Sequence, residues 1–250
     1  MRNLVKVELY KMSKRKYFIF ILAFNLISII YGLGILLGWS WISFVGDFDV
    51  IQYCGAMWQL LFMIGIPMIF FMYIGASILG GEKFEGQMLL EITRVANRKK
   101  LVLSKIVATL ILLIFYLIAN IIMSVISYFF FVKQTAYATS EIIIFSKDNI
   151  DLMLACLFGM ILMATLVIIT MYLSIRYGAV ISTIMGISIY VLMSLLSRMT
   201  IARIIVPGYY ALASEAVISL AGITQQLLWC AIVIYAFILL SLRKIIRTDL

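Results

Sequence analysis

IVATLILLIFYLIANIIMSVISYFFFV, residues 106–132, decides the fold. Eighteen of its residues are Ile, Leu, Val or Phe, and its one strongly polar side chain is Asn120. Each of those apolar residues favours membrane insertion by roughly 0.3–0.6 kcal/mol, so the stretch inserts. Lipid offers the backbone no hydrogen-bond partners, so every N–H and C=O must be bonded within its own segment. A run this long and unalternating is therefore a helix rather than a barrel strand.

Working outward, charged residues mark off six uncharged stretches: 17–46, 50–81, 106–132, 152–175, 177–197 and 216–242. Each exceeds the roughly 20 helical residues that cover a hydrocarbon core. The expected fold class is all-α, a polytopic membrane protein with six transmembrane helices. The spans are placed at about 17–38, 55–81, 106–131, 152–175, 177–197 and 219–242, in one membrane domain covering 1–250. The narrowest division is Arg176-Tyr177-Gly178, read as a tight cytoplasmic turn.

Composition points the same way, with 65% apolar residues, 12% charged and two prolines, a surface no water-soluble domain of this size tolerates. No polar stretch is long enough for a separate soluble domain, so an energy-converting module would be another chain. The lack of histidine removes Ser-His and Cys-His nucleophile pairs and His-ligated zinc, which argues against an enzyme. Cys54, Cys156 and Cys230 lie in apolar segments and read as small core residues.

Lys and Arg collect on the cytoplasmic side of short loops. With the N-terminus inside, segments 1–16, 82–105, Arg176 and 243–250 carry 16 of the 20 basic residues. Both termini are then cytoplasmic and the protein belongs in the plasma membrane. The start of the chain imitates a secretory signal, but its apolar run is too long for one and is read as a retained first span. Trp39, Trp41, Trp58, Tyr128, Tyr209 and Tyr210 fall near the predicted outer ends, as headgroup-level anchors do. Asn25, Gln59, Asn120, Thr165, Thr170 and Thr183 are expected to hydrogen-bond between helices, and Gly34 with Gly38 forms one small-x-x-x-small pair.

Three segments stand out. Residues 1–16 set an apolar stripe of Val5, Leu9 and Met12 among Arg2, Lys6, Lys11, Lys14, Arg15 and Lys16, with Glu8 beside them. That is the pattern of an interfacial helix lying on a leaflet with its bases toward anionic lipid. The loop 82–105, EKFEGQMLLEITRVANRKKLVLSK, is longer than a connection needs and reads as a docking element. As one helix it stacks Phe84, Met88, Ile92 and Val95 beside a polar stripe of Gln87, Glu91, Arg94 and Arg98. Between spans five and six, 199–217 is apolar but interrupted by Arg203, Pro207-Gly208 and Glu215. It is expected to dip into the outer leaflet and return under cover of protein, with Arg203 and Glu215 paired, in contact with substrate, or merely solvated.

With these parts placed, the whole chain resembles the permease subunits of ATP-binding-cassette exporters, in the type-two class that includes bacteriocin and lantibiotic immunity permeases. The residues that carry the resemblance are Glu8-Leu9-Tyr10-Lys11 and, in the loop, Glu82, Glu85-Gly86, Asn97-Arg98-Lys99 and Leu103-Ser104-Lys105. Gln87 stands where the family has Thr, Asn97 where it has Ser, and Val95-Ala96 where many members carry Pro. The resemblance implies that 83–97 is a coupling helix, with Glu82, Phe84, Glu85, Gly86, Met88, Leu89, Ile92, Arg94, Arg98 and Lys105 serving the ATPase contact. It implies as partners an ATPase subunit in two copies, binding ATP and Mg, and a second permease, identical or homologous, within the lipid bilayer. No cofactor in this chain and no nucleic acid are expected. The sequence has no G-x-x-x-x-G-K-[ST] phosphate loop of its own. The substrate class suggested by the family is a peptide or amphipathic small molecule. A membrane scaffold or sensor that binds an ATPase or kinase without transport is the rival reading.

Overall fold

The computed structural model describes residues 1–42, 47–95, 97–199, 205–212 and 219–247. The described residues form helices and no strand element. In chain order these are α1 (Arg2–Lys14), α2 (Tyr17–Leu36), α3 (Val50–Ile64), α4 (Ile66–Phe84, with a π turn at Ser77–Gly81) and α5 (Gln87–Arg94). They continue with α6 (Arg98–Phe130), α7 (Lys147–Tyr177), α8 (Ala179–Leu196), α9 (Tyr209–Leu212) and α10 (Leu220–Arg247). Helices α2, α6, α7, α8 and α10 are each long and apolar enough to cross a membrane, and α3 with α4 adds one more if the bent pair is a single span. The chain is thus helical and multi-pass by length and composition.

Helices α2 and α6 meet along a polar seam. Asn120 donates to Asn25 Oδ1 at 3.0 Å, Ser124 to Ser28 at 3.2 Å, and Ser127 to the Ser28 carbonyl at 2.7 Å. Tyr53 of α3 donates to that same carbonyl at 2.8 Å. The small residue that permits this approach is Gly32, where a Cβ would stand 2.1 Å from Ser127 Oγ. The Gly34/Gly38 expectation is corrected: Gly34 faces Ile42 and Trp39 of its own connection, and Gly38 lies past the end of α2 at φ +64°. Asn25 and Asn120 do bond between helices. Thr170 bonds both across to the Met72 carbonyl of α4 at 3.5 Å and back to Val167 at 2.8 Å, while Thr165 and Thr183 bond back to carbonyls four residues earlier, because in a helix that acceptor is always within reach.

The centre of the bundle is aromatic and aliphatic. Trp58 and Phe71 pack on Tyr116 with ring centroids 5.5 and 5.3 Å away. Trp58, Tyr128 and Tyr210 are buried, so they serve as core rather than headgroup anchors. Aromatic rings bring a large apolar area to a core, and burial uses it. Helices α4 and α7 touch backbone to backbone at Gly80, where a Cβ would lie 2.2 Å from the Ser174 carbonyl oxygen.

The 55–81 stretch does not form one straight span. Gly65, at φ +73°, separates α3 from α4, which bend by 64°. Left-handed Gly followed by Ile66-Pro67 stops one helix and starts the next, because Pro has no amide to continue the ladder and fits the first turn of a new helix. Between α7 and α8, Gly178 at φ +76° makes the turn that Arg176-Tyr177-Gly178 led one to expect. Between α1 and α2 the turn falls on Lys16, a non-glycine at φ +61°.

Of the segment 199–217, Arg203 and Glu215 lie outside the described residues. Pro207 and Gly208 are buried, and a Cβ on Gly208 would come 2.7 Å from Leu162 Cβ. Tyr210 packs on Phe158 at 5.2 Å. Phe158 is eleven residues into α7, about 16 Å along the helix, so this part of the chain reaches well into the bundle.

Candidate functional site

One end of the bundle gathers the basic residues, and there the helices are tied by charge. Lys105, in the second turn of α6, is fully buried. Its Nζ is 3.1 Å from Glu8 Oε1 of α1 and 2.9 Å from Glu91 Oε2 of α5, and it also bonds Glu82 of α4. Lys11 of α1 reaches the same three carboxylates, Glu8 at 3.2 Å, Glu82 at 3.4 Å, and Glu91. Arg15 completes the group by donating to Glu82 Oε1 at 2.9 Å. Three acids and three bases thus form a neutral cluster joining α1, α4, α5 and α6. Buried charges persist only when paired, and here each acid meets at least two cations.

Local sequence explains how these side chains converge. Glu8 and Lys11 of α1 and Arg15, the residue that caps its end, are spaced i, i+3 and i+7, and Met12 beside them is buried in the core. Val5 and Leu9 pack against the same core. The apolar stripe of residues 1–16 therefore covers protein, and Lys6, Val7, Tyr10 and Lys14 face outward. Glu82 and Lys105 face each other because each stands at the end of an apolar run, where α4 leaves the bundle and α6 enters it.

The loop 82–105 also departs from the single helix expected. Gly86 at φ +74° divides it, and α5 begins only at Gln87. The division takes Phe84 out of register with Met88: Met88 is buried, while Phe84 is 61% exposed. The polar stripe is corrected as well, since Glu91 points into the ion cluster rather than to water. Gln87 donates to Glu85 at 2.8 Å on the open side. Leu89 is exposed and Leu90 is 66% exposed, whereas Ile92 packs against the core. Arg94 lies in α5, with its side chain outside the described set, and Arg98 opens α6 half-exposed. Lys83 donates to the Ile175 carbonyl at 2.9 Å and Lys244 sits 4.7 Å from the Tyr172 ring, which ties α7 and α10 to the same end.

Burial alone would raise the Glu91 pKa, but Lys105 and Lys11 outweigh it and hold this carboxyl below its ordinary range. Burial would likewise lower Lys11, and its bond to Glu91 with the charges of Glu8 and Glu82 drives it above its ordinary value instead. Oxygens of Glu8, Glu82 and Glu91 lie within 4.8 Å of one another, a donor set suited to a hard divalent cation. Lys105 Nζ occupies that place, so a metal there would stand beside an ammonium. The arrangement offers no activated nucleophile; it clamps four helices together and leaves Phe84, Leu89 and Leu90 facing outward.

The sequence singles out Glu8, Lys11, Glu82 and Lys105 as candidates but not their union, and neither Arg15 nor Glu91 stands among its candidate site residues. The i, i+3, i+7 charge spacing on α1 was the available signal.

The family model described as Protein of unknown function (DUF2705) matches residues 41–250. No curated protein and no solved structure matches the chain.

Proposed function

The chain belongs to the DUF2705 family, and we propose, from the layout of its helices and its exposed loop, that it is the transmembrane subunit of an ATP-binding-cassette exporter. In this reading it crosses the plasma membrane six times with both termini in the cytoplasm. A separate ATPase subunit, in two copies, binds ATP and Mg, and a second permease completes the path for a peptide or amphipathic small molecule. The basic end is then the cytoplasmic end, α1 the interfacial elbow and α5 the coupling helix.

The observation that carries the proposal is the display of Phe84, Leu89 and Leu90 on a segment fixed from behind by Met88 and Glu91. Large apolar side chains held outward on a rigid extramembrane helix suit a groove in a partner protein. The test is affinity purification from the native membrane, with mass spectrometry of what accompanies the protein. An ATP-binding-cassette ATPase should accompany the wild type and be lost from Leu90→Asp, while membrane insertion and the position of α1 stay unchanged. Recovery of the chain alone, or with a kinase and no ATPase, would favour a scaffold or sensor instead.

A further inference from the structure

The end of α7 collects cations in a different way from the ion cluster. Lys83 of α4 donates to the Ile175 carbonyl at 2.9 Å, Arg176 follows that residue, and Lys244 of α10 stands 4.7 Å from the ring of Tyr172, one turn earlier on α7. The charges of Lys83 and Arg176 both act on Lys244, so the three lie within one small area. Lys83 and Arg176 rest on rings too, 5.6 Å from the Phe84 centroid and 5.1 Å from that of Tyr177. In the ion cluster three acids balance three bases, but here no carboxylate lies within ion-pair distance of Lys83 or Arg176 among the described residues. What surrounds them is only partly negative: the C-terminus of a helix is equivalent to about half a unit of negative charge, and a ring face attracts a cation without neutralising it. Two positive charges are left over, with Lys244 beside them. Arg176 is exposed and Lys83 half-buried, so an anion can reach both.

The position says which anion. Helices α7 and α8 are each long and apolar enough to cross a membrane, and Gly178 is the one residue between them. The turn therefore stays at headgroup level instead of projecting as a loop. Just past it, Val180, Ile181 and Ile184 of α8 are exposed along one face, as lipid-facing side chains are. A phosphate held at Lys83 and Arg176 has room for its acyl chains against these residues. Basic sites between membrane helices on the cytoplasmic side recognise anionic headgroups in this way.

We infer that Lys83, Arg176 and Lys244 form a binding site for the phosphodiester of one anionic phospholipid of the inner leaflet. Arg176 binds two phosphate oxygens through its planar fork, and Lys83, whose ammonium spends one of its donors on Ile175, turns another to the phosphate. The bound lipid joins the ends of α4, α7 and α10 by charge, as the ion cluster joins α1, α4, α5 and α6. The inference rests on the membrane orientation in the proposed function and adds a lipid partner to it. Its test needs no ATPase, so failure here and failure of the exporter reading are separable.

The experiment uses the full chain, purified in mild detergent and mixed with equal amounts of dioleoylphosphatidylglycerol and dioleoylphosphatidylcholine. Native mass spectrometry reads the affinity for the first lipid retained, and circular dichroism checks that each variant is folded. The wild type should retain phosphatidylglycerol in preference to phosphatidylcholine. A base near a membrane surface changes the binding of anionic lipid roughly fivefold, so Arg176→Gln, at an exposed position, should weaken retention about fivefold and K83Q/R176Q about 25-fold. The control K99Q/K100Q removes the same charge from exposed positions on α6 and should leave retention unchanged. Millimolar inorganic phosphate should not displace the lipid, because the acyl chains also hold it. No preference for phosphatidylglycerol, or equal losses from the two double variants, would overturn the inference. Displacement by inorganic phosphate would make this a site for a free anion and would overturn the lipid assignment.

Discussion

Replacing Lys105 by Met keeps the length of the side chain and removes the charge at the centre of the ion cluster. At about 3 Å and an effective dielectric constant near 20, each Lys105–carboxylate pair is worth roughly 5 kcal/mol of gross attraction, most of it cancelled by desolvation. The net cost follows from charge balance. Glu8, Glu82 and Glu91 would face only Lys11 and Arg15, so one carboxylate loses its counter-charge. The cheapest remedy is to protonate it. From an ordinary pKa near 4.3 that costs about 3.7 kcal/mol at pH 7, within the roughly 3–5 kcal/mol typical of breaking a buried pair. That carboxylate has a raised folded-state pKa, so the deficit grows by up to about 1.4 kcal/mol per pH unit above pH 4.3 and vanishes below it. Equilibrium SDS unfolding in mixed micelles at pH 5, 6, 7 and 8 measures this. The double variant K105M/E91Q, neutral again with Glu8 on Lys11 and Glu82 on Arg15, should recover at least half of the loss at pH 7. A deficit under about 1 kcal/mol, or one independent of pH, or additivity of the two substitutions, would refute the reasoning.

Three further outcomes are expected. The wild-type hold of α1 on α5, read by hydrogen exchange of α5, should be strongest near neutrality. Glu91, whose pKa is depressed, contributes stability above about pH 4.3 that is lost as pH falls through its folded value, while Lys11, whose pKa is raised, contributes below about pH 10.4 and loses its part as pH rises further. On the α2–α6 seam, Asn120→Ala should cost about 1–3 kcal/mol in the same unfolding assay by orphaning the buried Asn25, and the double change to Leu at both positions should cost less than the single one. Lys16→Gly should stabilise the chain by about 1 kcal/mol, because Lys16 sits in the left-handed region that costs an L side chain roughly that much, and a lower unfolding midpoint would contradict this.

Some of this was written locally in the chain and some was not. The run 106–132 is helical and apolar whatever surrounds it, since lipid leaves the backbone no other way to satisfy its hydrogen bonds. The turn at Gly178 follows from a similarly local rule. The split of the loop at Gly86 was visible as a Glu-Gly pair, but apolar periodicity on both sides argued for one continuous helix, and periodicity does not report where a backbone turns left-handed. The break at Gly65-Ile66-Pro67 was legible in the same limited way, as two helix-breaking residues inside a span long enough to cross regardless.

The tertiary structure alone decided which side chains meet. Trp58, Tyr128 and Tyr210 suit a headgroup boundary or a core equally well, and only the packing of α3, α6 and α7 puts them inside. Val5, Leu9 and Met12 suit lipid or protein equally well for the same reason. Glu8, Glu82, Glu91 and Lys105 are up to 97 residues apart, and no one-dimensional pattern says that their charges cancel. Hydropathy and period are properties of a single segment and fix its conformation, whereas charge pairing and burial belong to pairs of segments, so they exist only once the helices are side by side.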